Sequence, residues 1–317
     1  MEFSRRQFVG SAVAALGGAM IGDVGLARAE GRPQAAAGRS ASEPFSYALN
    51  TSTLRGHGLD LVAEIELLSK VGYNGVEPWI QEIDAYTKGG GTLEELGRRF
   101  ADAGLTVENA IGFATAMHDD DGARAKGLEQ LKRDMDKVAR IGGRRIAMPP
   151  AFGPAVSLDN AVQYYREALE LGRSMGVTPL LELWGAHERF GPLRNGIYVT
   201  TAVGHPDASL LLDIYHLYRS GTPFDGLRQI NGAALHVIHM NDYPATPERE
   251  QLQDSHRIYP GDGVAPLGDI LRLLRDNGFR GALSVELFNK EYWQKSAEEN
   301  ARTALEKMRA AVQTALA

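Results

Sequence analysis

The sequence predicts a single (β/α)8 barrel. Three observations support this fold: short apolar runs recur along the chain, helix-like segments separate them, and 317 residues are enough for one such barrel of roughly 250 residues. The runs are continuous rather than alternating, as expected of strands buried on both faces of a parallel sheet. Eight of them are found, at 45–50, 75–80, 106–111, 145–149, 179–184, 210–216, 235–242 and 282–288.

Helical signals fill the intervals between these strands. The segment 59–71 has apolar residues at helical spacing and ends at Gly72, a residue suited to terminate a helix. Ser157 is suited to cap the segment 158–175, and Pro266 stands in the first turn of the segment 266–277. The remaining predicted helices are 93–103, 123–141 and 296–316, with weaker signals around 194–204 and 222–232.

A doubly wound open sheet is the alternative fold, because it also alternates strands with helices. That fold often carries a glycine-rich phosphate loop after its first strand. Here the first strand leads into residues 50–58, Asn-Thr-Ser-Thr-Leu-Arg-Gly-His-Gly, which match neither GxGxxG nor a P-loop. We therefore favour the closed barrel.

Composition and charge exclude several classes of protein. The chain is 44% hydrophobic and 23% charged, which suits a globular protein rather than a disordered or fibrous one. It has no cysteine, so disulfides, thiolate metal sites and cysteine nucleophiles are excluded. A net charge of −6 without an obvious basic stripe counts against nucleic-acid binding. After the first 29 residues no apolar run approaches the length of a membrane span.

The first 29 residues resemble a twin-arginine export signal. The run Ser4-Arg-Arg-Gln-Phe-Val9 precedes an apolar stretch at 10–22, and Ala27-Arg-Ala29 follows as a small-x-small cleavage pattern. We predict an export signal at 1–29, a flexible linker at 30–43 and the barrel at 44–317, with a periplasmic or secreted location. An ordinary amphipathic N-terminal helix is the alternative.

Four ionisable residues stand inside or at the end of consecutive predicted strands: Glu182, Asp213, His239 and Glu286. The carboxyl ends of barrel strands form the active site, so these side chains are expected to converge. Three buried carboxylates need a counter-charge, and no Lys or Arg lies in the apolar cores of strands five, six or eight. One divalent cation would balance them, and an oxygen-rich donor set suits Mn²⁺, Mg²⁺ or Co²⁺.

Structural interpretations of the same residues remain open. Any one of these carboxylates could instead be an interior residue paired with Lys or Arg. His236 lies three residues before His239 and faces the opposite side of the strand, so we interpret it as a hydrogen-bonded structural histidine. Trp79, Phe113, Phe152 and Trp184 near strand ends are suited to stack on a sugar ring or to pack in the core.

Five motifs follow one another along the chain: Gly72-Tyr-Asn-Gly-Val-Glu77, Asp213-Ile-Tyr-His216, His239-Met-Asn-Asp242, Arg257-Ile-Tyr-Pro-Gly-Asp-Gly263 and Gly278-Phe-Arg-Gly-Ala-Leu-Ser-Val-Glu286. Together they resemble the xylose isomerase-like TIM-barrel family of sugar isomerases and epimerases, and the resemblance covers about 45–310. Each motif is weak alone, but five in this order are specific for the superfamily.

The resemblance to the ketohexose 3-epimerases and inosose isomerases of this family implies a divalent metal, with Mn²⁺ favoured over Mg²⁺, Co²⁺ or Zn²⁺. It implies that Glu182, Asp213, His239 and Glu286 bind the ion, and that Glu182 and Glu286 also transfer protons. His216 and Arg257 are the implied substrate contacts, and we add Glu77, Trp184 and His256 as further candidates. The wording Leu-Leu-Glu-Leu-Trp-Gly around Glu182 departs from the family's commoner fifth strand.

The implied reaction removes a proton next to a carbonyl and forms an enediolate, whose charge a cation stabilises. Two carboxylates that exchange protons across the substrate would give epimerisation, and return of the proton to the neighbouring carbon would give isomerisation. A lyase or dehydratase acting on a keto-sugar or glycoside is the second hypothesis. A barrel that binds carbohydrate without catalysis is the third, and the intact Glu182 and Glu286 argue against it.

The long loop from Tyr243 to Ile258 contains Asp254-Ser-His256, a pair that binds additional zinc in the related endonuclease IV branch. That branch also needs histidines at the ends of strands two and three, which are absent here, so DNA repair is disfavoured. No cluster of Lys and Arg suggests a phosphate clamp, which favours an unphosphorylated sugar or polyol. We expect a small-molecule sugar as partner and leave a homo-oligomer open.

Overall fold

The computed structural model describes residues 44–150 and 156–317, and in these residues eight strands alternate with nine α-helices. The strands are β1 Ser46–Asn50, β2 Gly75–Glu77, β3 Thr106–Val107, β4 Arg145–Met148, β5 Thr178–Glu182, β6 Leu210–Asp213, β7 Leu235–Met240 and β8 Ala282–Val285. The helices are α1 Leu61–Val71, α2 Ile80–Lys88, α3 Leu93–Asp102, α4 Asp121–Arg140, α5 Leu158–Met175, α6 Leu193–Ala202, α7 Ile214–Arg219, α8 Leu267–Asp276 and α9 Ala297–Leu316.

The strands form one parallel sheet in the order β3-β2-β1-β8-β7-β6-β5-β4. Its two ends meet where Ala110, shortly after β3, forms a parallel bridge with Ile146 of β4. The Ala110 N–H donates to the Arg145 carbonyl (3.1 Å), and the Ala147 N–H donates to the Ala110 carbonyl (2.8 Å). These bonds close the sheet into a barrel, and the predicted fold class is confirmed.

Apolar side chains fill the inside of the barrel as well as the layer between strands and helices. The small interior cluster takes residues from β1, from β4 to β8 and from the segment after β3: Ala48, Ile111, Ala147, Leu180, Leu211, Val237 and Ala282. Trp79 and Phe113 pack against this cluster. A much larger cluster joins the outward faces of the strands to the helices. The interior cluster therefore gives the carboxyl end of the barrel an apolar floor.

Two helices, α7 and α2, differ from the prediction, because they begin in or just after segments that the sequence predicts as strands. The predicted strand 210–216 ends at Asp213, whose carboxylate accepts the His216 N–H (2.9 Å) and starts α7. The predicted strand 75–80 ends at Glu77, and α2 begins at Ile80, where the Glu82 carboxylate accepts the Trp79 N–H (2.8 Å). In both places side-chain capping of backbone N–H groups favours a helix over an apolar strand.

The segment 222–232 also differs from the prediction, because short 3₁₀ turns at Phe224–Gln229 and Gly232–Ala234 stand where we expect a helix. No helix within 44–150 or 156–317 is both long and apolar enough to cross a membrane. The predicted export signal at 1–29, the linker at 30–43 and Phe152 lie outside the described residues.

The environment of Glu64 in α1 leads to a prediction about how stability depends on pH. The Glu64 side chain is buried, and Oε2 has no hydrogen-bond partner in the part of the chain that the structure describes. Burial, with smaller contributions from Glu82 and Asp60, raises its pKa to about 9. Because the folded state holds this proton more tightly than the unfolded state, the stability from Glu64 falls as the pH rises from its unfolded pKa toward 9. At pH 8 we expect the free energy of unfolding of Glu64→Gln to exceed that of the wild type by roughly 2 kcal/mol. Near pH 4.5 it should be no higher than that of the wild type.

Urea unfolding of the wild type and the variant between pH 5 and pH 8.5 measures this difference. Glu66→Gln is the matched control, because Glu66 is an exposed glutamate of the same helix. A constant difference between Glu64→Gln and the wild type over this pH range would contradict the prediction.

Candidate active site

A cavity of about 470 Å³ lies where the strands end at the carboxyl side of the barrel. Glu182, the last residue of β5, and Glu286, the first residue after β8, both line it. His216 of α7 and Arg257 of the segment after β7 line the same space. The cavity therefore joins two predicted proton-transfer residues with two predicted substrate contacts.

Three buried side chains are placed to hold a divalent ion. Asp213, His239 and Glu286 each offer one ligand atom, and these atoms lie within 4.8 Å of one another. The His239 Nδ1 lies 3.3 Å from Glu286 Oε2 and 3.6 Å from Asp213 Oδ2, yet has no hydrogen-bond partner among the described residues. An imidazole nitrogen facing two carboxylates fits a hard or borderline divalent cation. Glu182 lines the cavity but is not one of this group of three.

Arg257 supplies positive charge to the same carboxylates. Its Nη1 lies 2.6 Å from both Asp213 Oδ2 and Glu286 Oε2, and its side chain is 2% exposed. Burial opposes ionisation of Asp213, but the Arg257 guanidinium, together with His216 and His239, holds the pKa of that carboxyl well below its usual range. A metal ion at this site would take oxygen atoms that Arg257 already contacts.

His239 is held from behind by Glu77. The His239 Nε2 lies 3.2 Å from Glu77 Oε2, and the Asn109 amide donates to Glu77 Oε1 (2.9 Å). Although burial favours a neutral imidazole, Glu286 and Glu77 raise the pKa of His239 well above its usual value. Since a metal-ligating imidazole nitrogen must be free of its proton, a divalent ion held by His239 would displace a proton from the ring. A carboxylate behind a ligating histidine also fixes the orientation of the ring.

Glu182 differs from the other carboxylates because it keeps its proton more readily. Burial raises its pKa to about 8, and the negative charges of Glu286 and Asp213 add to this effect, while His239 opposes it. A carboxyl group that titrates near neutral pH can both accept and return a proton. This arrangement fits the role in proton transfer that the family resemblance implies for Glu182.

Asp242 fixes the loop that carries Arg257. Its Oδ1 accepts the N–H groups of Tyr243 (2.8 Å) and Ala265 (2.9 Å), and its Oδ2 accepts those of Gly261 (3.0 Å) and Gly263 (3.1 Å). A Cβ atom on Gly263 would lie 2.2 Å from the Tyr243 carbonyl oxygen, so glycine is required there. Asp242 is therefore a structural residue of the loop and does not line the cavity.

A model of the xylose isomerase-like TIM-barrel family matches residues 65–311. The chain belongs to this family. It is 27% identical over 253 residues to the inosose isomerase of Halalkalibacterium halodurans, and the match covers 77% of this chain and 89% of that enzyme. It is 25% identical over 258 residues to the 3-dehydroshikimate dehydratase of Pseudomonas putida, covering 77% of this chain but 39% of that protein.

A crystal structure of the IolI protein with a zinc atom has a TM-score of 0.79 and 23% identity, and the match covers 86% of this chain and 100% of the other. A fructoselysine 3-epimerase is also among the relatives. The family thus contains isomerases and epimerases, with a dehydratase branch. The predicted resemblance and the prediction of an enzyme of this family are confirmed.

The structure of this xylose isomerase-like barrel separates the predicted substrate contacts into two groups. Trp184, His216 and Arg257 line the cavity. Glu77 does not line it, is fully buried and contacts His239, so the geometry favours a supporting role for it over contact with substrate. His256 also does not line the cavity, because its Nδ1 accepts the Gln253 N–H (2.9 Å) within a 3₁₀ turn.

Two asparagines of the site are not among the site residues predicted from the sequence. Asn50 donates to Glu286 Oε1 (2.9 Å), and Asn241 donates to both oxygens of Asp213 (3.2 Å each). Both are fully buried at the ends of apolar runs, which was the available signal. Because asparagine is common at the ends of strands as a turn residue, that signal does not distinguish a site residue from a structural one.

Proposed function

We propose that this chain is a divalent-metal-dependent isomerase or epimerase of an unphosphorylated sugar or polyol, acting through an enediolate. The convergence of Asp213, His239 and Glu286 within 4.8 Å carries this proposal. Relatives matched over most of their own length include inosose isomerases and fructoselysine 3-epimerases, which support the reaction class.

The side chains of the cavity supply the parts that such a reaction needs. Glu182 in its ionised form removes the proton next to the carbonyl, and Glu286 faces the same cavity and can deliver or receive the second proton. Arg257, whose Nη1 contacts Asp213 and Glu286, brings a positive charge to the substrate oxygens, and His216, whose Nε2 lies 3.1 Å from Arg257 Nη2, stands beside it.

A divalent cation would be held by Asp213, His239 and Glu286. Glu182 would be a fourth ligand if its side chain turned toward the cation. A bound divalent cation supplies positive charge that stabilises the enediolate oxygen. We propose Mn²⁺, because carboxylate oxygens dominate the donor set and leave no soft thiolate ligand.

Proton exchange in D₂O tests this function. The full chain is stripped with a chelator, reloaded with Mn²⁺ and incubated with a panel of ketohexoses and inososes. We expect deuterium at one carbon of at least one sugar, with incorporation that stops when the metal is removed. No exchange on any sugar of the panel, together with measurable binding, would favour the carbohydrate-binding hypothesis over an enzyme.

A lyase or dehydratase is the second candidate, because a 3-dehydroshikimate dehydratase is among the relatives. It would use the same removal of a proton and then expel a leaving group from the adjacent carbon. Mass spectrometry of the same D₂O reactions separates the two: an isomerase or epimerase keeps the mass of the substrate apart from deuterium, and a lyase produces a smaller product.

We further propose that the mature enzyme acts in the periplasm or outside the cell. The pattern Ser4-Arg-Arg-Gln-Phe-Val9 with Ala27-Arg-Ala29 supports export through the twin-arginine route. Replacing Arg5 and Arg6 with lysine is expected to leave the uncleaved precursor in the cytoplasm of a bacterial host. Immunoblots of the periplasmic and cytoplasmic fractions measure this, and equal export of the double variant and the wild type would contradict it.

A further inference from the structure

We propose that the substrate carries an apolar, aromatic ring beside its reacting sugar or polyol ring, and that four aromatic side chains of the cavity bind this second ring. The inference rests on the proposed function, because it takes Glu182 and Glu286 as the reacting end of the cavity. It adds the class of substrate, an aryl-substituted sugar or polyol.

The four aromatic rings form a continuous arc. Trp79 and Phe113 have centroids 5.2 Å apart, Phe113 and Trp184 are separated by 6.2 Å, and Trp79 and Phe288 by 6.3 Å. All four residues line the cavity. All four are also only partly buried, unlike the fully buried Phe45, Phe100, Phe190 and Phe279 elsewhere in the described barrel. We call Trp79, Phe113, Trp184 and Phe288 the aromatic arc.

Packing against the floor of the barrel explains why these rings hold their positions. Trp79 and Phe113 pack on the interior cluster that includes Ile111, and Ile111 itself lines the cavity. The Trp79 indole N–H donates to Asn50 Oδ1 (2.8 Å), and the Arg55 guanidinium lies 3.8 Å from the Trp79 ring centroid. The ring is therefore fixed on its polar edge and on one face. A preformed apolar wall of this kind needs little reorganisation to bind a flat ligand.

The lining of the cavity includes both polar and apolar side chains, and the Arg257 guanidinium lies 5.2 Å from the Phe288 ring centroid where the two kinds meet. Glu182, Glu286 and Arg257 would serve the hydroxyl and carbonyl oxygens of the reacting ring. The aromatic arc, with Ile111, Ala186 and Leu252, presents carbon surface apart from its two indole N–H groups, and the Trp79 N–H is already bonded to Asn50. An aromatic ring against this surface has no polar group to satisfy, whereas a second sugar ring would need partners for each hydroxyl group.

The size of the cavity agrees with a two-ring ligand. Its volume of about 470 Å³ lies within the range of pockets that enclose drug-sized molecules, which are larger than one sugar ring with its hydroxyl groups. We therefore assign the arc to an aromatic substituent.

Paired glycosides test the inference by binding alone. The Mn²⁺-loaded full chain is titrated calorimetrically with the methyl and the phenyl β-glycosides of D-glucose, D-galactose and D-xylose. For at least one sugar we expect the phenyl glycoside to bind with a Kd about tenfold lower than the methyl glycoside. Phe113→Ala is expected to remove most of this preference, and Phe113→Leu, which keeps an apolar side chain, provides the measurement if the alanine variant does not fold.

Tyr198→Ala is the matched control, since Tyr198 is an exposed aromatic residue of α6 outside the cavity, and its preference should equal that of the wild type. Equal binding of methyl and phenyl glycosides in all three pairs, or a preference that survives in the Phe113 variants, would overturn the inference. The two proposals fail in different ways. Deuterium exchange without a preference for phenyl glycosides would reject the aromatic substituent and keep the isomerase or epimerase. A preference for phenyl glycosides without exchange on any sugar would reject the isomerase or epimerase and keep the aromatic binding site.

Discussion

Glu286→Gln is expected to lower the rate of proton exchange by about 10²–10⁴-fold, because the amide cannot accept or donate the proton that the carboxylate transfers. The amide also has only one acceptor oxygen. In the native site Glu286 Oε1 accepts from Asn50 and Oε2 accepts from Arg257, so one of these donors would face an NH₂ group. We therefore expect weaker metal binding as well as slower exchange.

The measurement is deuterium incorporation by the Mn²⁺-loaded variant, with circular dichroism to confirm the fold. Glu291→Gln is the matched control, because Glu291 is an exposed glutamate a few residues further along the same loop and does not line the cavity. Exchange by Glu286→Gln at the wild-type rate would remove Glu286 from the mechanism.

Arg257→Met is expected to lower the free energy of unfolding of the metal-free protein by about 3–5 kcal/mol. The substitution leaves Asp213 and Glu286 buried close to each other without the guanidinium that contacts both, and a broken buried ion pair costs about this much. The two freed carboxylates then bind a divalent cation without competition. Mn²⁺ should therefore stabilise the variant more than it stabilises the wild type.

Urea unfolding with chelator and with Mn²⁺ measures both effects, and calorimetric titration gives the Kd of the metal directly. Arg257→Lys is the control, because lysine keeps a positive charge but loses the planar fork that spans the two carboxylates. If Mn²⁺ stabilises the wild type and Arg257→Met equally, Arg257 and the metal do not share these oxygens.

The barrel follows from the sequence because its strands are continuous apolar runs ended by recognisable helix signals. Helix α5 begins and ends where its Ser157 cap and Gly176 predict. The errors occur where one side chain changes the local structure. The Ile-Tyr pair after Asp213 has the apolar character of a strand, but the Asp213 carboxylate caps the chain into α7.

The carboxylates and His239 of the site are predictable for a related reason: an ionisable residue inside an apolar strand is conspicuous. The side chains that contact these residues are not predictable in this way. Arg257 reaches Asp213 across 44 positions of sequence and Glu286 across 29, and no local pattern indicates that its guanidinium contacts both. The position of Glu77 behind His239 likewise depends on which face of β2 points into the barrel, and the two residues are 162 positions apart.

The four N–H bonds to Asp242 have a consequence for how this enzyme could diversify. They anchor the chain on both sides of Arg257, at Tyr243 before it and at 261–265 after it. The residues between Tyr243 and Asp254 can therefore lengthen, shorten or change composition while the guanidinium keeps its place. Leu252 and Gln253, which border the cavity, belong to this variable stretch. Insertions or deletions there can change substrate preference without moving Arg257 away from Asp213 and Glu286.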